Sequence, residues 1–406
     1  MKSLKILRIN SEGFSHVEAV LAIVVIAAIA AVGARVLLAS HAATPNYMLY
    51  SYGSQTKSLV SSDALGNKTP ITIANKKLIF YGQYTWASND SKIYFVGNLP
   101  TSSASSIYTM DYNGKTVKKL ALKPKIQVSN MYNLVWNDTG QKILFIDNEN
   151  SAAGFIQTIH TANADGSSHK VVYTLPPTGS EQISEAQWSP DGSKILIQMV
   201  NMPNTTSSTG KVNRLIVMNA DGTNQTILPT DNINSPYYNA ESSNGSFLNL
   251  SATNSWSPDS KTIVYGDYTK NGYSVLTINA DGTGIYDIHD LNDNSGSNYI
   301  GVGPTWSKTG NYIVDLRADS STGKWIFYAD TLSMQLRTVY SATLISSRLL
   351  DGPVNNFAIS PDGNNIAVNT QTTKSSYNEL VVYSTTSSSS AGSLIDNEQY
   401  LTGPIW

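Results

Sequence analysis

Six stretches of this chain begin alike: WASNDSKIYFV at Trp86, WNDTGQKILFI at Trp136, WSPDGSKILIQ at Trp188, WSPDSKTIVYG at Trp256, WSKTGNYIVDL at Trp306 and ISPDGNNIAVN at Ile359. The chain closes on GPIW, with Trp406 standing where a further copy would open. The copies recur about every 50 residues, a period that points to a repeat architecture before any local propensity is considered. One interval, Trp188 to Trp256, is 68 residues long and holds a Ser/Asn-rich insert around 231–246.

Within a copy the pattern reads strand, turn, strand, longer loop, strand, turn, strand. A short strand ends at the Trp, a Pro-Asp-Gly type turn follows, and an alternating apolar stretch such as Lys194-Ile195-Leu196-Ile197 gives the second strand. The third and fourth strands are joined by Asn-Ala-Asp-Gly, at Asn219 to Gly222 with sister turns at Asn163 to Gly166 and Asn279 to Gly282. Asp and Gly there supply the positive φ of a tight hairpin. Four antiparallel strands per copy make one propeller blade, so the expected fold is all-β, a propeller over 44–406. These motifs resemble the TolB-like, WD40-like propeller repeats, which carry the same "WSPDG" and "NADG" elements. The resemblance implies six blades. Joining the terminal GPIW to the segment YMLYSYGSQTKSLV at Tyr47, read as the outer half of a blade, would close a seventh, and six or seven both stay open.

Ahead of the repeats, Lys2, Lys5 and Arg8 precede an apolar run that contains Glu18 and Arg35. Ala19 to Ala34 carries no charge and as a helix reaches about 24 Å; flanking apolar residues extend it to a membrane-spanning length, with Arg35 snorkelling to an interface. The basic leader keeps its start in the cytoplasm, which places the propeller outside. Gly13, Phe14 and Glu18 together resemble the type IV pilin and pseudopilin signal. The resemblance implies a leader at 1–13 cut by a prepilin peptidase between Gly13 and Phe14, a methylated Phe14, and a membrane helix over 14–43. It further implies that Glu18 pairs with the N-terminal ammonium of another pilin-like subunit, which would answer the cost of an acid in hydrocarbon. An ordinary signal peptide cut after Ala42 and an uncleaved anchor are the alternatives; all three export the domain.

The net charge of -2 offers no surface for nucleic acid, and without cysteine there is neither disulfide framework nor thiolate metal site. A residue repeated once per blade at one position packs between blades or makes its turn, so the Trp series and the Asp-Gly turns are assigned no chemistry. No cofactor or metal is expected, the twelve-residue calcium pattern ending in Glu being absent. His160, His169 and His289 lie beside turns or outer strands and read as solvated; no Gly-x-Ser-x-Gly elbow, phosphate loop or second catalytic domain occurs. The expectation is a protein that is not an enzyme, a membrane-anchored or pilus- or secretion-associated propeller that binds a protein or glycan. Among 23 tyrosines, Tyr237, Tyr238 and Tyr268 near loops suit such recognition. An extracytoplasmic glycan-acting enzyme and a structural pseudopilin-type subunit are the competing readings.

Overall fold

The computed structural model describes residues 47–405, leaving out loop segments of which the longest are 124–130, 202–213, 230–254, 288–302, 333–338, 372–377 and 385–392. Gly13, Phe14, Glu18, His289, the insert at 231–246 and Tyr237 and Tyr238 lie outside the described residues. Among those described, no helix is long and apolar enough to cross a membrane. The proposed membrane helix at 14–43 is thus not shown.

Among the described residues every regular element is a strand, and these strands form seven sheets. The first three, β1 (Tyr47–Tyr52), β2 (Ser58–Asp63) and β3 (Lys68–Ile71), build outward in order. The next sheet holds β4 (Ile79–Ala87), β5 (Lys92–Asn98), β6 (Ser106–Asp111) and β7 (Lys118–Lys119). It is followed by β8 (Met131–Asn137), β9 (Lys142–Ser151), β10 (Gly154–Asn163) and β11 (Lys170–Leu175). The third contiguous sheet is β12 (Glu181–Trp188), β13 (Lys194–Asn201), β14 (Arg214–Asn219) and β15 (Thr226–Ile227). In the fourth, β16 (Thr262–Thr269), β17 (Gly272–Asn279) and β18 (Tyr286–Asp287) are joined by a single bridge from Trp256 to Ile263, where the others have a full innermost strand. Then come β19 (Thr305–Trp306), β20 (Tyr312–Asp319), β21 (Lys324–Leu332) and β22 (Val339–Leu350), and last β23 (Val354–Ile359), β24 (Asn365–Gln371), β25 (Asn378–Ser384) and β26 (Ser393–Glu398).

Six sheets therefore come from contiguous stretches, as the repeats require. The seventh is composite: β27 (Thr402–Ile405) pairs antiparallel with β1, Leu49 opposite Ile405 and Ser51 opposite Thr402. In this sheet the Tyr47 segment supplies the second strand and, with β2, the third, rather than the outer half of a blade; the outermost strand is β3. Tyr50 donates from its hydroxyl to Asp396 Oδ2 at 2.7 Å, and Lys68 Nζ lies 2.9 Å from Asp396 Oδ1, so β1 and β3 are both fastened to β26 of the neighbouring sheet.

The core is a series of seams between blades. Leu144, Ile159, Ile183, Trp188, Ile195 and Met218 fill one seam; Leu196, Leu215, Trp256, Ile263 and Leu276 fill the next. The repeated Trp packs there: Trp136 stacks on Tyr94 of the preceding blade with centroids 5.1 Å apart and planes at 22°, and Trp256 is fully buried. Burying one such side chain is worth roughly 1.5–3 kcal/mol. Because each sheet meets a neighbour on both faces, its middle strands are apolar on both sides.

The Asn-Ala-Asp-Gly turns and the matching Asp111-Tyr112-Asn113-Gly114 turn carry two constraints. Gly114, Gly166 and Gly222 have φ of 79°, 83° and 90°, a left-handed conformation that glycine tolerates. A Cβ on each would also run into the carbonyl oxygen of Thr72, Ala121 or Val172, all in the outer strand or the segment just after it of the preceding sheet. The turn is thus also a docking point between blades.

Candidate functional site

In each sheet the first strand pairs on one side only, and the other edge faces the axis. A backbone N–H on that edge is repeatedly taken by a side chain of the blade before. Trp136 N–H donates to Thr85 Oγ1 at 3.2 Å, Ala186 N–H to Asn133 Oδ1 at 2.9 Å, and Ser255 N–H to Gln187 Oε1 at 3.1 Å. These links tie successive innermost strands into one wall.

The wall is irregular at a recurring place. Pairing slips between Phe80 and Tyr84 in β4, between Tyr132 and Val135 in β8, between Ile183 and Glu185 in β12, and between Val354 and Asn356 in β23. Such bulges bend a strand and re-aim a side chain. Gly82 (φ 84°) and Asn133 (φ 50°) have the positive φ that goes with this irregularity. Gln83 and Ser184 are exposed at the bulges, and Asn133 is half-buried. The wall consequently offers amides and a hydroxyl where an unbroken strand would offer alternating apolar residues.

The described innermost strands carry two acids, both on β12. Glu181, at its start, accepts from Arg214 Nη2 at 2.6 Å on β14, both side chains partly exposed. Glu185 follows the Ser184 bulge and is half-buried. Gln187 Nε2 donates to its Oε1 at 2.7 Å, and Gln187 is itself held by the Ser255 N–H. Burial of the carboxyl, opposed in part by the Gln187 bond, pushes Glu185 up to about 7. Near neutral pH it can therefore hold or release a proton, a property of groups at functional sites.

Beside it, at the seam of β8, β10 and β12, Tyr132 donates to the Ile183 carbonyl at 2.7 Å and accepts from Gln157 Nε2 at 2.7 Å, while Ile183 N–H donates to Gln157 Oε1 at 2.6 Å. Burial raises the Tyr132 phenol well above its ordinary range, so it stays protonated. This closed network fixes the strand immediately before Glu185.

Two of the three histidines expected to be solvated are buried. His160, on β10, and His169, just before β11, are each 5% exposed. Their rings are linked by His160 Nδ1 to His169 Nε2 at 2.9 Å, His160 Nε2 meets Thr158 Oγ1 at 2.7 Å, and His160 stacks on Phe145 at 4.8 Å with planes at 3°. The sandwich of each sheet between two others is what buries them. Desolvation, with His169 as a second cause, lowers His160 to about 4, and desolvation also lowers His169. His169 Nδ1 is buried without a hydrogen-bond partner. Tyr268 lies in β16. Among the described residues no cluster of three or more His, Cys, Asp or Glu could hold a metal ion.

Glu185 was missed in sequence because bulges are not written in local composition; the one available signal was an acid interrupting an inner strand just before a Trp.

No family profile and no curated protein matches the chain. Solved structures do. The oligogalacturonate lyase of Vibrio parahaemolyticus superposes with a TM-score of 0.56 at 10% identity, over 86% of this chain and 84% of that one. The β-propeller domain of the Trilobed protease from Pyrococcus furiosus gives 0.53 at 12% identity, over 86% and 93%. Prolyl oligopeptidase B from Galerina marginata gives 0.53 at 11% identity over 88% of this chain but 51% of that one, so the chain spans about half of the peptidase. The lyase and the peptidase overturn the expectation that this architecture marks a protein that is not an enzyme, because the same propeller fold occurs in enzymes, and the absence of a familiar nucleophile motif does not separate the cases. These likenesses, at about a tenth identity, show the fold alone: the chain is an all-β propeller, the architecture implied by its TolB-like repeats.

Proposed function

We propose that the protein recognises a glycan at the wall formed by its innermost strands, outside the cytoplasmic membrane. The single observation that supports this reading is the repeated bulge, which puts Gln83, Asn133 and Ser184 at the irregular positions of β4, β8 and β12, Ser184 next to Glu185 in the chain, on strands that a packed core would make apolar. Sugar rings are recognised through many hydroxyls, and amides and hydroxyls on a rigid wall match them as donors and acceptors. A protein ligand is the other occupant considered; it would call for exposed aromatic anchors at this wall.

A second reading is turnover of a glycan at the same place. It is favoured by Glu185, whose proton is exchangeable near neutral pH, and by the occurrence of the fold in an oligogalacturonate lyase. The N-terminal residues Gly13, Phe14 and Glu18 support presentation by a processed, pilin-like membrane helix, with prepilin peptidase and other pilin-like subunits as partners and a single-pass cell-membrane location.

The full chain in detergent, screened against a glycan array, tests the main reading. Binding should fall by about tenfold or more in Gln83→Ala/Ser184→Ala, a change of about 1.4 kcal/mol, while losing the Ser184 hydroxyl's bond to the Gln198 carbonyl costs about 1 kcal/mol of stability and leaves the protein folded. Undiminished binding by that variant refutes the location. Mass spectrometry of the native N-terminus tests the presentation: methylated Phe14 supports it, while Ala43 or an intact Met1 as first residue overturns the prepilin route.

A further inference from the structure

Among the described residues no counter-charge pairs with Glu185. No Lys, Arg or His occurs on any described innermost strand, and the Arg214 guanidinium of the same sheet is engaged by Glu181. Among the described residues no ion pair reaches Glu185, and its only hydrogen bond is the one from Gln187 to Oε1. The elements packed around it carry Glu181 with Arg214 on its own sheet, Lys194 on β13, Lys142, Asp147 and Glu149 on β9, His160 on β10 and the protonated Tyr132 on β8, and none of these bonds Glu185 among the described residues. Its ladder partner is the neutral Gln198 on β13. The second carboxylate oxygen, Oε2, accepts no hydrogen bond from a described residue.

A half-desolvated anion of this kind is relieved by a proton or by a cation brought in from outside. An acidic sugar would be repelled, and a neutral one would use the amides without engaging the charge. A ligand that carries one ammonium among hydroxyls uses both features of the wall.

Resting on the glycan reading above, we propose that Glu185 anchors a protonated primary amine of the bound glycan, so that the site selects unacetylated amino-sugar units. The ammonium N–H donates to Oε2 while Gln187 keeps Oε1 fixed, and a carboxyl that arrives protonated gives its proton to solvent as the ammonium settles.

The probes are a β-1,4-linked glucosamine tetramer and its fully N-acetylated counterpart, titrated calorimetrically into the full chain in detergent at about pH 5.5, where the sugar amine arrives already protonated, in two buffers of different ionisation heat. The amine form should bind about tenfold tighter than the acetylated one, with net proton release seen as a buffer-dependent heat. Glu185→Gln should bring the amine form down to the affinity of the acetylated form and abolish the release. Equal binding of the two oligomers, amine preference surviving in Glu185→Gln, or no proton release by the unaltered protein overturns the inference. Binding of neither oligomer also overturns it, while the glycan reading stands or falls separately on the array.

Discussion

The buried His160–His169 pair makes folding stability depend on mild acid. An unfolded histidine titrates near 6.5, whereas His160 in the folded chain is held near 4, chiefly because burial penalises its cation. Between those values the unfolded state binds more protons than the folded one, so stability falls as pH drops below 6.5 and stops falling near 4. At about pH 5 the loss is about 2 kcal/mol, rising towards about 3 kcal/mol at lower pH, from 1.36 kcal/mol per unit of pKa difference. His169, lowered in the same direction, adds to the effect. The perturbation is His160→Phe, which keeps a ring on Phe145 but removes the proton site. Urea unfolding followed by tryptophan fluorescence, from about pH 7.5 to about pH 4.5, gives both profiles, and the variant should be flatter by about 2 kcal/mol at about pH 5. Its absolute stability is not the readout, since the lost bonds to Thr158 and His169 lower it at every pH. Parallel profiles for the two proteins would refute the argument.

Two further outcomes are expected. Gly222→Ala should destabilise by about 1–3 kcal/mol or more in chemical denaturation, because it combines φ of 90° with a Cβ that collides with the Val172 carbonyl; Gln225→Ala, exposed just after the same turn, should cost much less. Asp396→Asn should loosen the composite sheet by about 1.5–3 kcal/mol through the lost charge on the Tyr50 and Lys68 contacts, measured as faster hydrogen exchange at Leu49 and Ser51 with little change at Ile195.

Much of the fold was legible because a repeat reports itself several times. Trp136, Trp188 and Trp256 mark the same seam position in successive blades, and their burial between sheets is what a once-per-blade aromatic implies. The Asn-Ala-Asp-Gly turns were legible through φ, but the collision with the preceding blade was not, since no residue in the turn encodes what passes 50 residues earlier in the chain. His160 and His169 were misread for a related reason: a place beside a turn or an outer strand suggests a wet side chain, yet both faces of this blade are covered. The wall around Glu185 was the least legible part. A one-residue bulge at Ser184 shifts every following side chain to the other face, so alternation read from the sequence points the wrong way there.

The pairing of Leu49 with Ile405 bears on how the molecule is made. The two partners lie 356 positions apart (405 minus 49), and bringing such distant points together costs about 5 kcal/mol of chain entropy beyond a constant. On the ribosome, β1 must wait while all six contiguous sheets are synthesised before its edge is covered, at about 5–20 residues per second. For tens of seconds β1 has no partner on that edge, and an edge strand left bare for so long is open to pairing with another chain.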